Sequence, residues 1–166
     1  MFKYSVFIPA YNAYKFIGNF SENIKRQIIK PDQIIIVDDT RNTENFEKSV
    51  REKLNFFDDY KKLLIIKNKK NLKPSLCWNK TLKLFSNNLV FRMDVDDFWE
   101  EDHTKKMLDF YSNNKDAAIY LQKYKCNFIK KKLFNSDFLF INLGLHSSCL
   151  FNFNVAKISY PVTEAP

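Results

Sequence analysis

The acidic stretch at residues 89–98 (LVFRMDVDDF) has the clearest capacity for chemistry in this chain. An apolar run ends there in three closely spaced carboxylates, Asp94, Asp96 and Asp97. The run predicts a buried strand whose C-terminal end delivers these carboxylates to one point. Carboxylates crowded in this way repel one another unless a cation joins them, and hard oxygen ligands suit Mg²⁺ or Mn²⁺. Because such ions commonly share the phosphates of a ligand, the pattern favours a site for a phosphorylated ligand.

An acidic turn after a strand has two other common roles, as a solvated loop or as a helix cap. Asp102, two residues before Thr104, is placed to cap the following helix. The motif alone therefore leaves the metal site and the solvated loop open. A calcium loop of the EF-hand kind is excluded, because the stretch has no turn glycine and Phe98 and Trp99 stand where polar ligands should continue.

Length and composition indicate one ordinary domain. The chain has 166 residues, 45% of them hydrophobic, which excludes intrinsic disorder. No stretch approaches 18 apolar residues, and the first residues run into a strand rather than a signal peptide, so we expect a cytoplasmic protein. The three cysteines, Cys77, Cys126 and Cys149, are widely spaced in apolar surroundings. That spacing predicts reduced core thiols rather than disulfides or a zinc cluster.

The formal net charge of +8 raises the question of an anionic partner. The densest basic points are residues 67–70 and 130–132. No recognition helix or aromatic-basic RNA motif accompanies them, so we expect no nucleic-acid binding. Weak peripheral contact with an anionic membrane surface, such as the inner face of the cell membrane, stays open, since each exposed lysine near a bilayer adds modest affinity.

The N-terminal part of the chain alternates strands with helices. Residues 4–8 predict a strand, and residues 33–37 predict a second strand ending in Asp38 and Asp39. The helix between them has apolar residues at helical spacing: Phe16, Ile17, Phe20, Ile24 and Ile28. This βαβ order predicts a parallel sheet.

Two further strand–helix repeats lead to the acidic stretch. Thr43 is expected to cap a second helix, residues 63–66 to form a third buried strand, and Pro74 to occupy the first turn of a third helix. In an open α/β sheet, ligands bind beyond the C-terminal ends of the strands, where both acidic pairs would lie. Only Gly18 and Gly144 are glycines, which excludes a glycine-rich phosphate loop.

The pattern changes in the last third of the chain. Residues 117–124, 126–134, 138–143 and 147–153 read as β segments without intervening helices. We interpret them as an antiparallel extension of the parallel half within a single domain of residues 1–166.

Four motifs, in this order and spacing, resemble the inverting family 2 nucleotide-sugar glycosyltransferases, which have the GT-A fold. They are residues 6–12 (VFIPAYN), 35–40 (IIVDDT), 71–81 (NLKPSLCWNKT) and 94–97 (DVDD). The resemblance implies an open Rossmann-type α/β sheet with an antiparallel extension, in which residues 1–98 form the nucleotide-binding half. Residues 99–166 would then be an acceptor-side extension that is incomplete.

The resemblance implies a nucleotide site after the first two strands. Pro9, Ala10 and Tyr11 would wall the nucleobase, and Asp39 would accept a hydrogen bond from a uracil-like N–H. These roles agree with the residue types, because an aromatic ring stacks on a base and a carboxylate reads a donor edge. Alternatively, Tyr11 is a half-buried aromatic residue and Asp38 a turn former.

The resemblance also implies that Asp96, with Asp94 or Asp97, holds Mn²⁺ or Mg²⁺ on the donor diphosphate. A divalent ion neutralises such a leaving group. Asp94 would contact the nucleotide as well.

The third motif departs from the family pattern Asn-x-Gly-x-Ser-x-x-Arg-Asn-x-Gly at three positions. Lys73 and Thr81 stand at glycine positions, and Trp78 stands at the arginine position. Lys73 would bring a positive charge close to the phosphates, although a solvated lysine at a helix start is an equal alternative.

The implied reaction moves a sugar from a nucleotide diphosphate-sugar, expected to be UDP-linked, to a glycan or lipid-linked hydroxyl acceptor. Inversion needs a general base, and Glu164 is the acidic residue near the expected place. Acceptor recognition would lie around residues 143–153, where His146 is a candidate. Because the chain ends at Pro166, we expect slow transfer or none from this chain alone.

Two alternatives remain at this point. One is a nucleotide-sugar-binding domain that is inactive or truncated. The other, more remote, is a receiver-like phosphoacceptor domain, in which clustered aspartates bind magnesium; that class needs the Asp pair on the first strand, whereas here a strand–helix unit precedes Asp38.

Overall fold

The computed structural model describes residues 2–40, 45–57, 62–116, 119–121 and 149–154. Within these ranges the strands are β1 (Ser5–Ala10), β2 (Gln33–Asp38), β3 (Leu63–Lys67), β4 (Leu89–Arg92), β5 (Ile119–Leu121) and β6 (Cys149–Asn152). The helices in the same ranges are α1 (Ile17–Arg26), α2 (Phe46–Lys53), α3 (Lys73–Thr81) and α4 (His103–Asn113).

The described strands form one mixed sheet in the order β3-β2-β1-β4-β6-β5. The first four are parallel, with Val6 of β1 opposite Ile34 of β2 and Phe91 of β4. The last two are antiparallel, and β6 pairs with both β4 and β5. This confirms the predicted parallel half with an antiparallel extension, while the β segments predicted at 126–134 and 138–143 lie outside the described residues.

Helices cover both faces of the sheet, as alternation along the strands requires. On one face, α1, α2 and α4 pack on a core that includes Val6, Ile8 and Phe91. On the other face, α3 packs with Phe7 and Val90. Complete burial of an aliphatic or aromatic side chain contributes about 1.5–3 kcal/mol, so these two layers fix the sheet between the helices.

Three local expectations were wrong. Ile28 is 59% exposed, because α1 ends at Arg26 and the next residue, Gln27, has extended backbone angles (φ −56°, ψ 135°). Strand β3 is only partly buried beyond Leu63, since it is an edge of the sheet. Asp102 occupies the N-cap position of α4 without a side-chain capping bond, and its carboxylate instead lies 2.7 Å from the Lys106 ammonium.

The remaining local predictions concern Pro74, the cysteines and Thr43. Pro74 lies in the first turn of α3 as predicted. Cys77 and Cys149 are buried thiols, as predicted, whereas Cys126 lies outside the described residues. Thr43 also lies outside them. No helix in the described ranges is both long and apolar enough to cross a bilayer.

Candidate functional site

The candidate site lies at the edge of the sheet where the parallel strands end. From β1 the chain proceeds to β2 on one side, and later returns as β4 on the other side. Such a reversal of strand order leaves a crevice at the carboxyl ends of the strands. Backbone hydrogen bonds connect the segments at this edge. Asp39 N donates to Ala10 O (2.8 Å), and Met93 N donates to Phe7 O (3.0 Å). Both acidic motifs therefore flank the end of β1.

The loop after β1 presents an aromatic ring to solvent. Tyr11 is 56% exposed, whereas Ala10 is buried in the core and Pro9 is half-buried. Asn12 has a positive φ of 50°, and its backbone N–H donates to Oγ1 of Thr40 (2.7 Å). The left-handed turn and this bond fix the loop, so Pro9 and Tyr11 are accessible to a ligand while Ala10 packs beneath them.

Asp39 is buried and anchors a neighbouring loop. Only 3% of it is exposed. Its Oδ1 accepts hydrogen bonds from Asn68 Nδ2 (2.8 Å) and Leu72 N (2.8 Å), and its Oδ2 accepts one from Lys73 N (2.9 Å). The carboxylate therefore caps the N-terminus of α3 from a different strand, a favourable place for negative charge. The Cys77 thiol is a further hydrogen-bond partner of this carboxylate, so most of its roughly four acceptor positions are used.

Asp38 has the turn-forming role that its residue type suggested. Its Oδ1 accepts a hydrogen bond from Thr40 N (3.1 Å), which closes an Asx turn, and the residue is buried.

Asn68 and Lys80 extend the Asp39 network, and no sequence pattern pointed to a role for either residue. Lys80 Nζ donates to Asn68 Oδ1 (2.7 Å), and Asn68 Nδ2 lies 3.4 Å from the Cys77 sulfur. Burial, with the Asp39 charge second, raises the pKa of the Cys77 thiol to about 12. Cys77 is therefore a protonated packing residue near neutral pH rather than a nucleophile.

The structure explains two of the three departures in the third motif, Trp78 and Thr81, whereas nothing in it explains the lysine at position 73. Lys73 has φ 68°, a left-handed conformation that glycine adopts without steric cost. Trp78 is buried in an aromatic cluster, with ring centroids 5.1 Å from Phe7 and 4.7 Å from Phe151. Thr81 is buried and its hydroxyl donates to Trp78 O (2.8 Å). At position 78 the chain thus has core packing in place of a guanidinium.

The acidic loop after β4 divides its carboxylates between two environments. Asp94 Oδ1 accepts hydrogen bonds from Arg92 Nη2 (3.0 Å) and Nε (3.3 Å), and both side chains are largely shielded. Asp96 and Asp97 are exposed. A turn in which Asp97 N donates to Asp94 O (3.2 Å) separates them from the ion pair.

Among the described residues, no three carboxylate, imidazole or thiol groups lie close enough together to hold a metal ion by themselves. The expectation that all three carboxylates meet at one point is therefore not met, because Arg92 holds Asp94. The donor set still fits Mg²⁺ or Mn²⁺, which use one or two carboxylates and complete their coordination with water and ligand phosphates. Asp96 and Asp97 are the exposed oxygen donors at this edge of the sheet.

Sequence reasoning missed three amide side chains that hold the acidic loop in place. They are Asn19 and Asn23 of α1 and Gln27, which follows α1, and they bond to the backbone of residues 95–104. The sequence feature that could have indicated them is their four-residue spacing, which places three amide side chains along one side of an amphipathic helix.

Two proposed site residues cannot be located. Glu164 and His146 lie outside the described residues. Lys73 is exposed at the start of α3.

The fold and the edge residues define an open α/β domain with an acidic loop at the carboxyl ends of its parallel strands. The profile of Glycosyl transferase family 2 matches residues 5–154. The chain belongs to this family. The receiver-like alternative is therefore wrong, as the antiparallel β6 beside β4 also indicates.

Individual relatives are similar over much of this chain. An uncharacterised glycosyltransferase of Methanocaldococcus jannaschii, MJ1057, is 24% identical over 172 aligned positions, covering 92% of this chain and 57% of the relative. The 1–349 fragment of S. aureus TarS in complex with UDP has a TM-score of 0.72 at 21% identity, covering 91% of this chain and 47% of that one. The same fragment with UDP-GlcNAc has a TM-score of 0.69 at 22% identity, covering 91% and 45%.

A more distant fold neighbour is the mannosyltransferase PcManGT of Pyrobaculum calidifontis in complex with GDP-Man and Mn²⁺. It has a TM-score of 0.61 at 19% identity, covering 70% of this chain and 34% of that one. The GT-A-like fold is thus shared with solved glycosyltransferases. This chain spans about half the length of the relatives it matches most fully.

Proposed function

We propose that this chain binds a nucleotide diphosphate-sugar, UDP-linked, through Mn²⁺ or Mg²⁺ and takes part in inverting transfer of the sugar to a glycan or lipid-linked hydroxyl. The observation that carries the proposal is the placement of two ligand-facing loops at the ends of adjacent parallel strands. Exposed Tyr11 follows β1, and exposed Asp96 and Asp97 follow β4. A base-stacking ring and phosphate-side carboxylates then flank one crevice.

The nucleoside end would lie beside β1 and β2. Tyr11 and Pro9 would wall the base, and Asp39 would accept a hydrogen bond from a base N–H. A buried carboxylate that reads a donor on the base discriminates between bases that have the donor and bases that lack it. The TarS complexes with UDP and UDP-GlcNAc support a uridine donor, since they are more similar in fold than the GDP-Man complex.

The diphosphate end would lie beside β4. Asp96, with Asp97 or Asp94, would hold the divalent ion, which stabilises negative charge on the leaving diphosphate when it is bound. Asp96 makes no hydrogen bond or ion pair with another described residue, so its carboxylate is available. The Mn²⁺ in the PcManGT complex supports a metal at this kind of site. The ammonium of Lys73 would add positive charge near the phosphates.

The test is isothermal titration calorimetry of UDP in the presence of Mn²⁺ and in EDTA. Wild-type protein should bind UDP at least about tenfold more tightly with Mn²⁺, because the two phosphates and the carboxylates otherwise face each other uncompensated. Asp96→Asn should abolish the Mn²⁺ dependence without lowering thermal stability. Asp109→Asn, an exposed aspartate in an ion pair on α4, is the matched control and should bind as wild type does. Equal affinity in Mn²⁺ and EDTA would refute the metal bridge.

We propose Glu164 as the candidate general base. A base contributes about a hundredfold to ten-thousandfold to the rate, so in a protein that transfers sugar Glu164→Gln should reduce transfer by at least about a hundredfold and leave UDP affinity unchanged. Transfer by this chain that survives Glu164→Gln would place the base elsewhere, with Asp137 and Asp97 the next residues to test. UDP binding without any transfer would instead favour a nucleotide-sugar-binding domain.

An anionic membrane surface near a lipid-linked acceptor would contact exposed lysines such as Lys69 and Lys70.

A further inference from the structure

Three amide side chains of one helical stretch bond to the backbone of the acidic loop. Asn19, Asn23 and Gln27 recur every four residues, so they line one side of α1 and its C-terminal continuation. Residues 93–102, between β4 and α4, form neither helix nor strand. This segment therefore needs hydrogen-bond partners from elsewhere in the fold.

The contacts are specific and directed at main-chain groups. Asn23 Nδ2 donates to Asp97 O (2.8 Å), and Asn23 Oδ1 accepts from Trp99 N (3.1 Å). Asn19 Nδ2 donates to Val95 O (3.1 Å) and to Asp97 O (3.2 Å). Asn23 thus fixes the chain on both sides of Phe98, with donor and acceptor both used.

Gln27 continues the same arrangement further along the loop. Its Nε2 donates to Glu100 O (2.9 Å), and its Oε1 accepts from Thr104 N (3.0 Å). A backbone bond from Ile28 N to Glu101 O (2.9 Å) follows. Both Asn23 and Gln27 are almost fully buried, so each of these bonds is shielded from water.

The amides bond to main-chain groups of the loop and leave its carboxylates exposed. Asp96 and Asp97 remain exposed although the Asp97 carbonyl accepts two hydrogen bonds. Neutral amides fix the backbone without adding a charge that would compete for those carboxylates. A metal-binding carboxylate whose backbone is fixed by hydrogen bonds keeps its position when the metal is exchanged or released.

On this basis, and resting on the function proposed above, we infer that Asn23 is a positioning residue for the metal-binding carboxylates, with Asn19 and Gln27 supporting it. It acts through the backbone of Asp97 and Trp99 and touches neither nucleotide nor metal. Helix α1 begins a few residues after Tyr11, so one rigid element links the nucleobase loop to the metal loop. Losing a group that orients metal ligands typically costs about 10–100-fold in metal affinity.

The experiment compares Asn23→Leu with Gln33→Met. Gln33 is a buried amide with three hydrogen bonds, to Ser5, Leu84 and Ser86, at the opposite end of β2, roughly 17 Å from the site edge. Both variants lose a buried amide and should lose similar stability. In Mn²⁺ titrations at fixed UDP, Asn23→Leu should need at least about tenfold more Mn²⁺ than wild type. Gln33→Met should titrate as wild type does, and faster amide exchange of Trp99 should accompany Asn23→Leu alone.

Each outcome decides the inference. Wild-type Mn²⁺ dependence in Asn23→Leu, or an equal loss in Gln33→Met, would overturn it. If Asn23→Leu does not fold, Asn19→Ala at an exposed position replaces it and should weaken the Mn²⁺ response several-fold; an unchanged response overturns the inference. If wild-type protein shows no Mn²⁺-dependent UDP binding at all, the proposed function fails, which is a result distinct from a failure of Asn23 alone.

Discussion

The carboxylate of Asp39 accepts the backbone N–H of Lys73 at 2.9 Å, and Lys73 makes this contact in a left-handed conformation with φ 68°. The two residues lie 34 positions apart in the chain. A residue expected to read a base is therefore also the anchor of the loop that begins α3. The nucleotide edge and the α3 loop are consequently one structural unit.

Asp39→Asn should lower the free energy of unfolding by about 1–3 kcal/mol, because the amide nitrogen would face backbone donors that now meet a carboxylate oxygen. Urea denaturation measures this loss. Asp109→Asn should stay within about 0.5 kcal/mol of wild type, as an exposed ion pair does. UDP affinity should also fall in Asp39→Asn while the Mn²⁺ requirement persists. A fully stable Asp39→Asn protein would contradict the anchoring role.

Lys73→Gly should raise the free energy of unfolding by about 0.5–1 kcal/mol relative to Lys73→Ala. Glycine relieves the left-handed strain, and its greater freedom in the unfolded state offsets part of that gain. Thermal denaturation of the two variants separates strain from charge, because both remove the ammonium. If the ammonium lies near the phosphates, both variants should bind UDP equally weakly. Equal stability of the two variants would show that the strain at position 73 is no larger than the extra conformational entropy of glycine in the unfolded chain.

The Arg92–Asp94 pair should be coupled energetically. A double-mutant cycle of Arg92→Leu and Asp94→Asn should give a coupling free energy of about 1 kcal/mol or more, because both groups are largely shielded and joined by two hydrogen bonds. Denaturation of the four proteins supplies the cycle. The Mn²⁺ titration of Asp94→Asn then decides the role of Asp94. An unchanged titration assigns it to the ion pair, and a weakened one assigns it to the metal.

Stability should fall as the pH rises from about 9 towards 12, through the buried thiols. Burial raises the pKa of Cys77 to about 12 and that of Cys149 to about 11. In this window the unfolded chain has lost protons that the folded chain retains, so each such group lowers stability by up to about 1.4 kcal/mol per pH unit. Below pH 8 the thiols should contribute no slope.

Denaturation against pH in a Cys126→Ser background measures the thiol effect, because this substitution leaves Cys77 and Cys149 as the thiols that titrate. Cys77→Ala should flatten the alkaline slope although it lowers stability at neutral pH. The native thiols should also react slowly with iodoacetamide at pH 8. An alkaline slope that is the same with and without Cys77 would assign it to other groups, such as Tyr4, whose pKa burial also raises.

Much of the fold was predictable because periodicity is a local signal. A nearly continuous apolar run marks buried strands such as β2, and apolar residues at helical spacing mark α1, whatever the rest of the chain does. The errors occurred where neighbours decide burial. Strand β3 is apolar in sequence but lies at an edge, and Ile28 continues the helical spacing after the backbone has turned.

The sequence by itself determined the order of strands and helices, the parallel half, and the arrival of acidic residues at one edge of the sheet, since each follows from short-range patterns and chain order. Only the tertiary structure decided what each carboxylate does there. Asp94 is held by Arg92, Asp39 caps α3, and Asn23 holds the loop that presents Asp96. The bonds from Asn23 and Gln27 to the loop join groups 73–77 residues apart in sequence, and such pairs form only when α1 packs beside the end of β4. Side-chain type shows that a group can bond, but the packing of distant segments selects its partner.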